Sequence, residues 1–317
     1  MGKSIVELFK RIVELFKRIL ERKKEKREAG NKIIIIGLPN SGKTVFFFTM
    51  IIQLQKEFNL PSIKYTIRSC NRDGSNLGSE FHKTIQRGVW PVKTTTTTNE
   101  HTTFSYQIIS ENAFFQNIKT IDYTDYPGEV YRVALADPST VEDHLLKEFE
   151  NDAAKIMLEI VKAYGVFILV DAVELLEEKN STFNNIVYGL SDILSNSKVK
   201  RVALIFTKTD LCPSKTKEDL IESLNNQNCD TLLQLKKVKH FESFMVSAVE
   251  TEVNLKGIRV PIQNYSPGKH SKGLLEAIKW MLDLKGITIK PIPCEQCDGT
   301  GKVDQDCEDI PALEQVK

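Results

Sequence analysis

Apolar and polar positions alternate along this chain in two distinct rhythms. Residues 33–36, 165–171, 200–206 and 244–248 are nearly unbroken apolar runs, rich in Ile, Val, Leu and Phe. Short runs of that kind predict strands buried on both faces, as in a parallel sheet covered by helices. Residues 102–109 instead alternate apolar with polar, the signature of a half-buried strand, and residues 118–123 follow after a short polar break. Together they predict an antiparallel hairpin. Helical spacing marks residues 45–54, then 139–163, where Val141, Leu145, Leu146, Phe149, Ala153, Ile156, Met157 and Ile160 share a face. It returns at residues 272–284 with Leu274, Leu275, Ile278 and Met281. Residues 61–93 are polar and Gly-punctuated, with a loop-like centre at 69–78, and read as an insertion. The alternation of strands and helices predicts an α/β domain over residues 32–285, with a mostly parallel sheet carrying one antiparallel strand.

The two ends differ from that core. Residues 5–11, Ile-Val-Glu-Leu-Phe-Lys-Arg, recur letter for letter as residues 12–18. A seven-residue repeat is a helical period, and at about 100° per residue the apolar positions cover an arc of roughly 160°. Lys10, Arg11, Lys17 and Arg18 border this arc, and Arg22, Lys23, Lys24, Lys26 and Arg27 follow. An N-terminal amphipathic helix over residues 1–28 is therefore expected. A wide apolar face edged by basic residues suits an anionic membrane surface; self-association, a partner helix through residues 5–20, or packing on the domain are the alternatives. Beyond residue 286 the chain becomes polar and unpatterned, except for a CxxCxGxG stretch at 294–301.

Composition narrows the function. The chain has 317 residues, 41% hydrophobic, with a formal net charge of +1. It can bury a sizeable core, and its charge balance gives no footprint for nucleic acid, so none is expected as a partner. Six cysteines without a disulfide framework, and no secretory segment, predict a cytoplasmic protein, peripheral at the inner face of a membrane if residues 5–20 bind lipid.

The candidate chemistry starts where the first apolar run empties into Gly37-Leu-Pro-Asn-Ser-Gly42-Lys43-Thr44, a GxxxxGK loop followed by Thr. Between a strand and a helix this pattern predicts a phosphate cradle. Gly37 and Gly42 allow the curl, backbone N–H groups around Asn40 and Ser41 converge on an anion, Lys43 offers a charge and the Thr44 hydroxyl faces Mg²⁺. Asp125-Tyr-Pro-Gly128 ends the second hairpin strand, where α/β sheets place their ligands. There Asp125 can hold Mg²⁺ and the Gly128 N–H can reach a terminal phosphate. Thr207-Lys208-Thr209-Asp210 ends another strand. The Asp210 carboxylate can accept from N1–H and the N2 amino group of guanine, which adenine cannot supply, while Lys208 covers the base. Ser247 and Ala248 end the last run, the Ala248 N–H facing guanine O6.

In their order and placement these motifs resemble the translation-factor-related class of P-loop GTPases, in size its Ras-like members, and in detail the prokaryotic double-GTPase group of conflict systems. The resemblance covers about residues 32–285. It implies a three-layer P-loop NTPase fold, GTP and GDP as ligands, Mg²⁺, slow hydrolysis of GTP as a molecular switch, and an effector or regulatory protein as partner. By position it makes Lys43 and Glu129 catalytic, Gly37, Asn40, Ser41, Gly42, Lys43, Thr44, Gly128, Thr207, Lys208, Asp210, Ser247 and Ala248 nucleotide-binding, and Thr44, Thr96 and Asp125 Mg²⁺ ligands. Thr96 stands for the threonine run 94–98, any member of which could complete the metal shell. The chain departs from the pattern at Glu129, where Ras-like enzymes carry Gln, and at Thr207, where an Asn amide usually braces the loop, so that brace is expected to be lost. Arg68, Arg72, Arg87 and Arg132 are candidate arginine fingers. The alternatives are a nucleotide-dependent scaffold or assembly module with little or no hydrolysis and, opposed by TKxD, an ATPase. The CxxCxGxG stretch resembles one repeat of the DnaJ-type zinc region. Cys294, Cys297 and Cys307 are one ligand short of a tetrahedral Zn²⁺ site.

Overall fold

The computed structural model describes residues 32–57, 64–69, 72–91, 103–111, 116–124, 126, 128–135, 141–177, 199–227, 240–266 and 269–283, with 190, 193, 194, 197, 235 and 236 besides. The expected N-terminal helix, the 94–98 run and the 286–317 tail lie outside the described residues.

The unbroken apolar runs form the centre of one sheet. Strand β1 (Lys32–Gly37) sits between β4 (Gln116–Thr124) and β5 (Gly165–Asp171). Strands β6 (Arg201–Thr207) and β7 (His240–Met245) extend one side, while β3 (Thr103–Glu111) and β2 (Lys64–Ser69) extend the other, giving the order β2-β3-β4-β1-β5-β6-β7. Strands β4, β1, β5, β6 and β7 pair in parallel. Strand β3 runs against both β4 and β2, so it alone in this sheet is reversed, as the alternating pattern predicts.

Both faces of this sheet are covered, which is why its central strands carry no polar alternation. Ile33 and Ile35 of β1 join one core with α1 (Lys43–Glu57), α2 (Arg72–Gln86) and α7 (Leu274–Met281). Ile34 and Ile36 join the opposite core with α3 (Gly128–Leu135), α4 (Asp143–Lys162), α5 (Ala172–Leu176) and α6 (Lys217–Gln227). The result is the expected three-layer α/β fold. Three consecutive phenylalanines lock α1 to it: Phe46 meets Phe167 edge-on at 5.3 Å, Phe47 lies 4.8 Å from Tyr123, and Phe48 stacks on Phe81 at 4.9 Å.

The placement of β1 positions the site. Helix α1 leaves β1 on one face, and the chain returns from β4 to β5 through α3 and α4 on the other, so the connections diverge beside the C-terminal end of β1. That crevice is where open α/β sheets bind ligands.

Three expectations need correction. The loop-like stretch at 69–78 is largely helix, since α2 begins at Arg72; its Phe81 and Ile85 are buried, and burial of that face outweighs the poor helix propensity of its Gly- and Asn-containing first turns. The region taken as an insertion also supplies β2, paired to β3 from Lys64 to Ser69. The last strand ends at Met245, before Ser247, and Ser247 instead forms an isolated bridge with Lys272. A small second sheet, β8 (Thr251–Val253) with β9 (Arg259–Pro261), was not expected.

Candidate functional site

The loop after β1 is shaped by two glycines with different duties. A Cβ at Gly37 would lie 2.6 Å from Ser41 Oγ and 2.9 Å from the Leu169 carbonyl oxygen, so the loop closes on β5 only without a side chain. Gly42 has open space around it but a φ of +79°, the left-handed region that favours glycine, and Asn40 also sits there at +61°. Ser41 Oγ donates to the Leu38 carbonyl at 2.8 Å. Lys43 opens α1 and is 7% exposed; its ammonium donates to the Gly37 and Leu38 carbonyls at 3.0 and 2.8 Å. It also lies 5.2 Å from the centre of the Tyr131 ring. The first backbone N–H groups of α1 have no acceptor within the helix, and the positive dipole end points into the same loop. Buried cation, helix end and curled backbone make one anion cradle.

The Thr44 hydroxyl lies 3.0 Å from the Tyr123 hydroxyl, near the end of β4. Asp125 follows that strand but lies outside the described residues, as do Thr96 and Cys294, Cys297 and Cys307. The Thr44 hydroxyl, beside the strand end that precedes Asp125 in sequence, is an oxygen donor of the hard type that fits Mg²⁺. Among the described residues no group of His, Cys, Asp or Glu forms a separate metal cluster. Gly128 and Glu129 open α3, so Glu129 sits in its first turn, half-buried. Tyr131, one turn on, donates its hydroxyl to the Ile35 carbonyl at 3.3 Å and ties α3 to β1.

Thr207 corrects the second departure. The residue is 5% exposed, and its hydroxyl donates to the Ser41 carbonyl at 2.9 Å and the Val170 carbonyl at 3.1 Å. The brace expected to be lost is made by a hydroxyl. Through it the TKxD segment and the phosphate loop, 166 residues apart in sequence, share one hydrogen bond. Lys208 takes a left-handed backbone, φ 58°, and its ammonium donates to Asp171 Oδ2. Asp171 is itself fixed, because its Oδ1 caps α5 by accepting from the N–H groups of Val173 and Glu174. Asp210 Oδ2 accepts from the Thr251 hydroxyl at 2.8 Å, so β8 fixes the carboxylate expected to read guanine. Ser247 is fixed by its bridge to Lys272, and the Ala248 carbonyl accepts from the Tyr265 hydroxyl at 2.8 Å.

Four contributors were not foreseen. Asp171 had a signal, an acid ending a buried strand at the ligand-facing edge. Tyr123, Tyr131 and Thr251 had none, since each acts through a contact between segments distant in sequence. Of the arginine finger candidates, Arg132 pairs with Glu142 at 3.3 Å and Arg87 is exposed at the end of α2. Burial, with the charges of Asp210 and Asp171 beside it, pushes the Cys212 thiol up, which disfavours its thiolate. Burial and the carboxylates of Glu159 and Asp152 push Tyr126, between Asp125 and Gly128, up to about 12.

A sequence profile described as Double-GTPase 2 matches residues 31–258, which contain every described site residue. The chain belongs to the Double-GTPase 2 family. Comparison with curated proteins gives no match. Among solved structures, this Double-GTPase 2 protein is similar to the S. cerevisiae Ski7 GTPase-like domain bound to GTP, at 14% identity and TM-score 0.42, covering 82% of this chain and 50% of that one. It is also similar to a GTP-binding protein from Sulfolobus solfataricus in complex with GDP, at 14% identity and TM-score 0.33, covering 78% and 55%. A third is the mammalian SRP receptor, at 15% identity and TM-score 0.31, covering 68% and 91%. The chain thus spans about half the length of the Ski7 structure. No helix among the described residues is long and apolar enough to cross a membrane.

Proposed function

We propose that this Double-GTPase 2 protein binds GTP and GDP and hydrolyses GTP slowly, as a molecular switch. The observation that carries this reading is the buried bond from Thr207 to the Ser41 carbonyl, because it joins the guanine-reading segment to the phosphate loop as parts of one site. The antiparallel β3–β4 hairpin supports placement in the translation-factor-related class.

Each residue then has a role. Backbone N–H groups from Asn40 to Thr44 bind the inner phosphates, while Lys43 leaves the Gly37 and Leu38 carbonyls to meet the outer ones. Thr44 and Asp125, with Thr96 or a neighbour from the 94–98 run, would hold Mg²⁺; that ion neutralises charge between the outer phosphates when bound. Asp210, steadied by Thr251, accepts from guanine, and Lys208, steadied by Asp171, lies over the base. The Gly128 N–H meets the terminal phosphate, so occupancy there orders the loop after Asp125 and the start of α3. Glu129 has no amide with which to orient a water by donation, and its charge opposes approach of the terminal phosphate, which makes hydrolysis slow. Residues 5–20 supply attachment to an anionic surface, or self-association, and an effector or regulatory protein reads the ordered loops.

Glu129 also favours a second reading, a nucleotide-dependent assembly module that does not hydrolyse. Single-turnover conversion of GTP to GDP by purified full-length protein, with and without cell extract, separates the two. Slow conversion abolished by Lys43→Ala supports the switch; tight binding with no conversion in either condition supports the assembly module.

A further inference from the structure

Among the described residues the large apolar side chains left exposed are Val89, Trp90, Val253, Leu255 and Ile258. They come from two segments far apart in sequence, and the fold brings those segments together. Trp90 Nε1 donates to the Arg259 carbonyl at 3.0 Å, and the Asn264 N–H donates to the Gln86 carbonyl at 3.0 Å. The turn after α2 is thereby pressed against the strand that returns from the β8–β9 tip. The five side chains are one surface feature, and none of them is needed for the nucleotide site.

The tip itself is built. Asn254 N–H donates to the Ile258 carbonyl at 2.9 Å, and the Asn254 side-chain oxygen accepts from the N–H groups of Lys256 and Ile258 at 2.9 and 3.0 Å. Gly257, at φ +74°, completes the turn. Leu255 is fully exposed at the apex of this turn. Val253 pairs with Arg259 and so shares its face, whereas Ile258 is bonded to Asn254 one position further out, on the opposite face. Apolar groups therefore surround a projecting tip on both faces and at its apex, with Trp90 beside its base.

We propose that the β8–β9 tip, with Val89 and Trp90, inserts into an anionic lipid surface. Shape and charge select that partner. A projecting tip with apolar groups on both faces offers little area to a flat protein surface, and stable protein interfaces bury about 1,200–2,000 Å². Its exposed charges are Arg87, Lys256 and Arg259 against Glu252. A second copy would bring the same positive charges face to face, and the chain's own residues 5–20 are bordered by Lys10, Arg11, Lys17 and Arg18, which repel in the same way. An anionic bilayer supplies an apolar interior under a negative surface, and a partly exposed tryptophan suits the boundary between them. This contact is separate from residues 5–20 and independent of the nucleotide reading.

The test uses full-length protein and phosphatidylcholine vesicles containing phosphatidylserine, some made with brominated acyl chains that quench tryptophan in contact with them. Wild type should be quenched and Trp90→Phe should not, since Trp280, the remaining tryptophan, packs against Arg201 and Phe244. Leu255→Asp should weaken vesicle partitioning at least about tenfold without moving the melting temperature, because a leucine side chain leaves the bilayer and a charge would have to enter. Added salt should weaken binding of wild type. Sedimentation with vesicles but no quenching of Trp90 places the attachment elsewhere and overturns the proposal. So does Leu255→Asp binding as tightly as wild type, or a concentration-dependent dimer that Leu255→Asp abolishes in a protein that ignores vesicles.

Discussion

Thr207→Val removes one oxygen from the centre of the site and little else. The valine keeps the β-branched shape, so the variant opens no sizeable cavity, but the hydroxyl that donates from β6 to the phosphate loop disappears. A hydroxyl has one hydrogen, shared here between the Ser41 carbonyl at 2.9 Å and the Val170 carbonyl at 3.1 Å. Thr207 is buried, so water cannot replace it, and leaving a buried acceptor unsatisfied costs about 1–3 kcal/mol. For a domain of this size each kcal/mol lowers the melting temperature by about 2–4 °C. We expect Thr207→Val to melt at least about 2 °C lower and to bind a fluorescent GDP analogue several-fold more weakly, because the loop loses its tether to β6. Thr207→Ser, which keeps the hydroxyl, should retain most of the affinity. A valine variant with unchanged melting and unchanged affinity would refute the argument that this bond holds the two motifs together.

Other perturbations address separate parts of the account. Lys43→Ala should abolish tight binding of GTP and GDP while leaving the far-UV circular dichroism unchanged, since the outer phosphates lose their charge partner. Gly37→Ala should disrupt the loop by forcing a Cβ against Ser41 Oγ and the Leu169 carbonyl, reducing both thermal stability and nucleotide affinity, whereas an alanine tolerated in both assays would contradict the close packing. Burial first, and then the Asp122 charge, hold the Glu159 carboxyl above its ordinary range, against the opposing effect of Lys32 and other lysines. Protonated Glu159 is the form the fold prefers, so its contribution is present below the unfolded carboxylate's value, about 4.3, and is lost as pH rises through the higher folded value. Glu159→Gln should therefore gain stability over wild type as pH increases from 4 to 8, a trend that urea unfolding at several pH values would check.

Most of the sheet was legible because its strands carry their own signal. Residues 33–36, 166–170 and 202–206 are apolar without interruption, and the first and last of these runs lead into the GLPNSGKT and TKTD motifs, so strand identity and ligand-facing edge are readable together there. The helix α2 was not, because its opening residues favour loops, whereas Phe81 and Ile85 lie deep in the neighbouring core. Strands β8 and β9 have three residues each, too few for an alternation to register. At the site, family resemblance named the residues whose types are restrictive, such as Gly37, Lys43 and Asp210. It misjudged Thr207, because a missing amide was taken as a missing brace, when the Thr207 hydroxyl reaches the Ser41 carbonyl and ties the loop. Asp171, Tyr131 and Thr251 act on Lys208, Lys43 and Asp210 from other segments, and such pairings depend on tertiary placement.

The guanine reading rests on Asp210, and the direct measurement is a competition titration of GTP, ATP and xanthosine triphosphate against wild type and Asp210→Asn. The amide replaces one carboxylate oxygen with a donor, so guanine's N2 amino group meets an unsuitable partner. Such a mismatch costs on the order of 1–3 kcal/mol, and each ~1.4 kcal/mol is one decade of affinity. Wild type should prefer GTP. The variant should lose at least about tenfold in GTP affinity and gain affinity for xanthosine triphosphate, which carries a carbonyl where guanine has the amino group, with ATP weak in both. An unchanged preference for GTP in Asp210→Asn, or a wild type that prefers ATP, would contradict the assignment of residues 207–210 as the guanine-reading segment.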